Sequence, residues 1–162
     1  MLCLWSVVKK LKKGDAQAQY EIGLKYLRAA QYPEAKEWLQ KAASQGYSRA
    51  KVTIGVTYLS GLGVAQNPKK AFNWFRESAT EGDPVGQYAI GNMYFKGHPV
   101  KQNYKKAANW FRKAGKQGVA IASFALANLY CTGKGVTQNY STAAKLYQDA
   151  ADKGHLESQG IL

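Results

Sequence analysis

A metal centre or a catalytic pair in this chain would have to be built from very few residues. The histidines are His98 and His155, and the cysteines are Cys3 and Cys131. None of them stands with a cysteine, histidine or carboxylate cluster at metal-ligand spacing, and His98 falls in a glycine-bearing connector. Asp15, Glu21, Glu34 and Glu37 form no pairing of the kind that general acid–base chemistry uses. The segments GLGVAQN and GKGVTQN are glycine-rich but lack the Lys-Ser/Thr that a phosphate-binding loop needs after its glycines. The expectation is a protein without catalytic residues, metal or cofactor.

Charge is the other chemistry available. The chain of 162 residues carries 23 Lys plus Arg against 10 Asp plus Glu, a formal charge of +13. Between Asp83 and Asp149 there is no acidic residue, while Lys96, Lys101, Lys105, Lys106, Arg112, Lys113, Lys116, Lys134 and Lys145 all fall there. A field of one sign attracts acidic proteins, nucleic acid or an anionic membrane surface, and it governs association rate more than fold. Two cysteines do not make a disulfide framework, and no apolar run approaches the ~20 residues of a membrane span. The opening MLCLWSVV has its lysines after it, the wrong order for a signal peptide. A whole chain of this kind is expected in the cytoplasm; one whose leader has been removed would be periplasmic or secreted.

The elements that position these residues follow from a fixed period. Gly46, Gly82, Gly118 and Gly154 fall 36 residues apart, as do Tyr58, Tyr94 and Tyr130, and Trp38, Trp74 and Trp110. A period of this length marks a stacked array in which each unit completes its neighbour's core. The units run 14–45, 46–81, 82–117 and 118–153 within a single repeat domain, with 1–13 as an N-terminal cap helix and 154–162 as a short C-terminal lid. Each full unit reads as helix, loop, helix. Asp83-Pro84 opens a first helix, Asn67, Asn103 and Asn139 cap second helices, and Gly61, Gly97 and Gly133 close first helices in a left-handed turn. The first unit is four residues shorter, in the turn between Tyr26 and Trp38. Small residues at Gly23, Gly55, Gly91 and Ala127 let the second helix approach closely, with the Trp/Tyr set expected to fill the gap.

This pattern, A-x-x-x-(L/I)-(G/A)-x-x-Y-x-x-G-x-G-V followed by A-x-x-W-x-x-x-A-A-x-x-G, resembles the Sel-one-like repeat, a relative of the tetratricopeptide repeat. The departures are the short first unit, Pro99 where Gly63 and Gly135 stand, Leu146 in the tryptophan slot and Gly115 in an alanine slot. The resemblance implies an all-α fold, a right-handed α/α superhelix (α-solenoid), that works as a scaffold for protein–protein contacts. It implies that partners lie in the concave groove lined by first helices, which carries Arg49, Tyr88, Asn92, Lys96, Phe124 and Asn128 onto groove positions. An asparagine pair one repeat apart grips an extended backbone with donor and acceptor together, beside the aromatic wall of Tyr88 and Phe124. The lysines of a carboxylate clamp are not matched, since Tyr88 and Glu157 stand in their places, so a C-terminal acidic tail is not the expected ligand.

Three functions compete at this point. The first is a non-enzymatic interaction module that binds an acidic or extended segment of another protein, with an inhibitor or immunity-type protein as its narrower form. The second is binding of nucleic acid or an anionic surface by a convex ladder of Lys69, Lys70, Arg76, Lys105, Lys106 and Arg112. The third is a structural spacer that associates with further copies through its open ends.

Overall fold

The computed structural model describes residues 14–154. Both expected terminal caps, 1–13 and the run beyond Gly154 with His155 and Glu157, lie outside the described residues. Within them the chain is all-α, in eight helices: α1 (Ala16–Arg28), α2 (Tyr32–Ser44), α3 (Ser48–Ser60), α4 (Pro68–Thr80), α5 (Pro84–Lys96), α6 (Tyr104–Lys116), α7 (Ala120–Thr132) and α8 (Tyr140–Asp152). The chain divides into two compact units, Met1–Ser78 and Ala79–Leu162.

Helix ends follow from side-chain chemistry. The Asp83 carboxylate accepts the backbone N–H groups of Val85 and Gly86 at 2.9 and 2.8 Å, with Pro84 in the first helical position where no N–H is needed. Asn67, Asn103 and Asn139 accept from Lys70, Lys106 and Thr142 at 2.9, 2.9 and 2.8 Å. Gly61, Gly97 and Gly133 end α3, α5 and α7 in the left-handed region, with φ of 71°, 75° and 68°. A Cβ would be strained there, which is why the column is glycine. Pro99 keeps a connector of the same length without a second positive-φ residue. The short first repeat turns at Ala30, itself at φ 56°.

Each long connector carries a staple that the period alone does not reveal. The side-chain amides of Gln66, Gln102 and Gln138 donate to the carbonyls of Leu59, Phe95 and Cys131 at 2.8, 2.9 and 2.7 Å. These carbonyls belong to the last turn of a helix, where no backbone partner follows.

In the first unit, Leu39, Ala42, Ala43, Ala50 and Ile54 form a core on which Tyr20, Tyr47, Tyr58 and Trp74 pack. In the second, Phe111, Leu126 and Leu129 are buried with Ala107, Ala108, Ala114 and Ala122. Helix glycines make these approaches possible. A Cβ on Gly91 would stand 2.7 Å from the Phe111 ring, one on Gly55 2.6 Å from Phe75, and one on Gly23 2.7 Å from Leu39.

The large partner is therefore the residue after each tryptophan, which corrects the expectation that the Trp/Tyr set fills the gap. Trp38, Trp74 and Trp110 are only half-buried. Adjacent helix positions differ by about 100° of rotation, so one of the two must turn away from the first helix. Phe75 and Phe111 turn in. Trp38 and Trp110 instead carry the ammonium groups of Lys41 and Lys113 over their rings, 4.6 Å from each centroid.

Candidate functional site

The second unit brings four of the six sequence-predicted groove residues together. Tyr88 and Asn92 on α5 face Phe124 and Asn128 on α7 across a groove of about 250 Å³, with Phe95, Ile121 and Ala125 on its sides and Phe111 beneath. Its aromatic wall is fixed by packing: Tyr88 and Phe95 lie 5.8 and 6.3 Å from Phe111, and Phe95 meets Tyr104 edge-on at 5.5 Å. Phe124 packs on Tyr147 at 5.5 Å. At the rim, Val85 and Ile121 are 49% and 42% exposed, so apolar surface continues out of the groove. Burial raises the Tyr88 hydroxyl above its ordinary pKa, and the phenol stays a neutral donor.

The two asparagines are not equivalent. Tyr147 stands where the preceding repeat has Phe111, and its hydroxyl donates to Asn128 Oδ1. The same hydroxyl lies 3.7 Å from Cys131 Sγ. Burial first, then the contact with Cys131, pushes the Tyr147 pKa up to about 12, so it remains a donor. Asn128 thus has one carbonyl lone pair engaged and its NH₂ left to the groove. Asn92 faces a phenylalanine and has no side-chain partner among the described residues; it offers donor and acceptor both. The expected symmetric pair becomes one complete grip and one partial one.

Lys96 is exposed in the last turn of α5 and does not line the groove. Arg49 is exposed in the first turn of α3, in the first unit. The equivalents of Asn92 and Asn128 in that unit are Leu24 and Val56, so its first helices present an apolar face instead.

The basic residues do not form one uniform ladder. Lys70 and Lys106 lie over the rings of Tyr58 and Tyr94, 5.4 and 5.1 Å from the centroids, which ties each second helix to the first helix of its own repeat. Arg112 is half-buried; its guanidinium donates to Asn109 Oδ1 at 2.9 Å and to the Tyr130 hydroxyl at 3.2 Å. Lys69, Arg76 and Lys105 are exposed.

Sequence reasoning missed a buried polar column. Gln19, Lys51, Gln87 and Ser123 occupy one position of the first helix and are all buried. Each meets the end of its own repeat's second helix. Gln45 donates to Gln19 at 2.8 Å, and Gln117 to Gln87 at 2.9 Å. Lys51 pairs with Glu77 at 3.7 Å, and the Ser123 hydroxyl donates to Asp149 at 2.7 Å, where Lys153 also binds at 2.7 Å. Burial raises the Asp149 carboxyl's pKa, but the hydrogen bonds from Lys153 and Ser123 and the Lys153 charge outweigh it, and the net shift is downward. The signal was available: a non-apolar residue recurs where the helix should be buried.

Among the described residues, no three His, Cys, Asp or Glu side chains are grouped to hold a metal ion, and no helix is long and apolar enough to cross a membrane. The model of the Sel1 repeat matches residues 16–47, 54–83, 84–119 and 120–155. The chain belongs to the Sel1 repeat family. A protective antigen of uropathogenic Escherichia coli with an SLR fold is 33% identical over 96% of this chain and 34% of its own, with a TM-score of 0.88. A Sel1 repeat protein from Oxalobacter formigenes is 31% identical over 86% of this chain and 57% of its own, with a TM-score of 0.82. This Sel1 repeat chain thus spans 34% and 57% of the length of these two relatives. Cysteine-rich protein B of Helicobacter pylori is 28% identical over 76% of this chain and 94% of its own, with a TM-score of 0.62. No curated protein matches significantly. The expected fold class, an all-α helical repeat of the solenoid kind, holds. Sel1 repeats are in general scaffolds for protein–protein contact rather than catalysts.

Proposed function

We propose that this Sel1 repeat chain is a non-enzymatic interaction module that holds an extended, acidic segment of a partner protein in the groove between α5 and α7. The observation that carries this reading is Asn92. Its amide has no partner among the described residues, and it stands beside a fixed wall of Tyr88 and Phe124. An extended peptide has a spare N–H and C=O at every residue, and one such amide satisfies both. Aromatic side chains held by packing give contact area with little entropy left to lose, so they supply most of the binding energy. Charge complementarity favours an acidic segment: no acidic residue falls between Asp83 and Asp149, while Lys96 and Lys101 flank the end of α5. Those lysines speed encounter more than they deepen affinity. Blocking an acidic toxin or effector is the narrower form of this function and rests on the charge alone.

The test is affinity capture from the native cell with the full chain and its Asn92→Ala variant, followed by affinity measurement on the captured protein. Asn92 is the cleaner position, because Asn128→Ala also leaves the Tyr147 hydroxyl without its acceptor. Loss of a two-bond grip on a backbone is expected to weaken binding about tenfold or more. Retention equal to wild type sinks the groove assignment.

A further inference from the structure

We propose that the cleft between α6 and α8, floored by α7, is a second binding site, and that it takes an apolar side chain flanked by a carboxylate on an acidic partner protein. The cleft has a volume of about 420 Å³ and lies wholly within the second unit. It does not depend on the groove between α5 and α7, and nothing in the repeat pattern asks for it.

Departures from the repeat converge on this one place. Leu146 stands where Trp38, Trp74 and Trp110 stand in the other repeats, and Thr142 where Lys70 and Lys106 do. Ser123 replaces the longer Gln19, Lys51 and Gln87, and Gly115 replaces Ala43, Ala79 and Ala151. All four line the cleft, and each is smaller than the residue it replaces. The effect on its wall is direct. Lys70 and Lys106 cover the rings of Tyr58 and Tyr94, but Thr142 is too short to cover the equivalent Tyr130. That ring, with Leu126 and Leu146, forms an apolar lining. A Cβ at residue 115 would stand 2.7 Å from the Ser123 hydroxyl, so glycine also keeps the floor open.

The charges in the cleft are arranged to leave a cation unanswered. Asp149 is the carboxylate of the lining, and it is already answered by Lys153 and Ser123. Lys153 also donates to the Gly115 carbonyl at 3.1 Å. Arg112 and Lys116 have no carboxylate partner among the described residues. Arg112 is held in position by Asn109 and the Tyr130 hydroxyl, so its remaining N–H groups are directed without further loss of side-chain entropy. A guanidinium fixed beside an apolar wall suits a carboxylate attached to an apolar body. A phosphodiester backbone brings no side chain for that apolar wall.

The experiment is an NMR titration of the ¹⁵N-labelled full chain with two capped tripeptides, acetyl-Asp-Phe-Asp-amide and its neutral counterpart acetyl-Asn-Phe-Asn-amide, and with inorganic phosphate. The acidic peptide is expected to shift the amide signals of Ser123, Tyr130 and Leu146, with the neutral peptide about tenfold weaker. Arg112→Gln should reduce the acidic peptide to the level of the neutral one. Leu146→Trp, which restores the residue of the other repeats, should block both peptides while thermal unfolding stays as in wild type. Equal binding of the two peptides, the same shifts with phosphate alone, or undiminished binding to a folded Leu146→Trp variant would each overturn the proposal. Signals of Asn92 and Asn128 report the groove separately, so failure of one site is distinguishable from failure of the other.

Discussion

The third repeat, α5–α6, and the fourth, α7–α8, share one backbone plan and differ in how their two helices speak to each other. Both have an asparagine cap on the second helix, a glycine ending the first and a glutamine staple in the connector. Across the pair, the third repeat sets Phe111 under Asn92 and joins Gln87 to Gln117. The fourth sets Tyr147 under Asn128 and joins Ser123 to Asp149 and Lys153. At the first contact only the second helix changes, from Phe111 to Tyr147 under an asparagine that both repeats keep. At the second contact the change is linked, a short serine appearing where a carboxylate reaches in. A repeat thus fixes the groups that satisfy helix ends and varies the groups between helices. Those groups are where one repeat becomes functionally unlike the next.

The largest effect should come from removing what both repeats require. Phe111 is 1% exposed and carries the rings of Tyr88 and Phe95. Phe111→Ala should destabilise by about 3–5 kcal/mol through lost burial and the cavity left behind, read by chemical denaturation. A loss under about 1 kcal/mol would mean that the tryptophan column, not this one, is the core.

Exchanging the groups under the asparagines is a smaller and sharper intervention. Tyr147→Phe should cost about 1 kcal/mol, the net worth of a partly buried hydrogen bond, and return the Asn128 carbonyl to the groove. Phe111→Tyr should do the reverse, placing a hydroxyl under Asn92. Partner retention should then fall as it does for Asn92→Ala, with stability changed by less than about 1 kcal/mol. Undisturbed retention in a folded Phe111→Tyr protein would separate the two repeats less than their geometry suggests.

The framework of this comparison was legible in the sequence and its cross-links were not. Asn103, Asn139, Asp83 and the helix-ending glycines act on backbone within a few residues, so spacing identifies both partners at once. Whether Trp110 or Phe111 faces Gly91 depends on helix phase, and two large neighbours leave that phase ambiguous to a period. The Tyr147–Asn128 and Gln87–Gln117 pairs join residues 19 and 30 positions apart, and neither partner's type names the other. The groove residues Tyr88, Asn92, Phe124 and Asn128 did come together, because repeat register carries first-helix positions to the same face. Lys96 and Arg49 do not join them: Lys96 is exposed in the last turn of α5, and Arg49 belongs to the first compact unit rather than to the one that holds the groove.

The smallest effect separates the two repeats by pH. The third repeat's lock is an amide pair without a titrating group, whereas the fourth depends on ionised Asp149. Folding lowers that carboxyl below its ordinary value of 3.8. A depressed pKa means that the folded state favours the charged form, so the stabilisation is complete above the unfolded value and is lost as pH falls through the folded one. The comparison to make is wild type against Asp149→Asn, because other carboxylates then cancel in the difference. Wild type should be the more stable at about pH 6, and the gap should narrow over the acid range as pH falls below the ordinary carboxyl value of 3.8 and the aspartate takes up its proton. Gln87→Leu, which removes the third repeat's lock, should instead show the same deficit at every pH in this range. A gap for Asp149→Asn that stays constant through acid would show that the contact works as a neutral hydrogen bond, and that the two locks differ in residue type but not in physics.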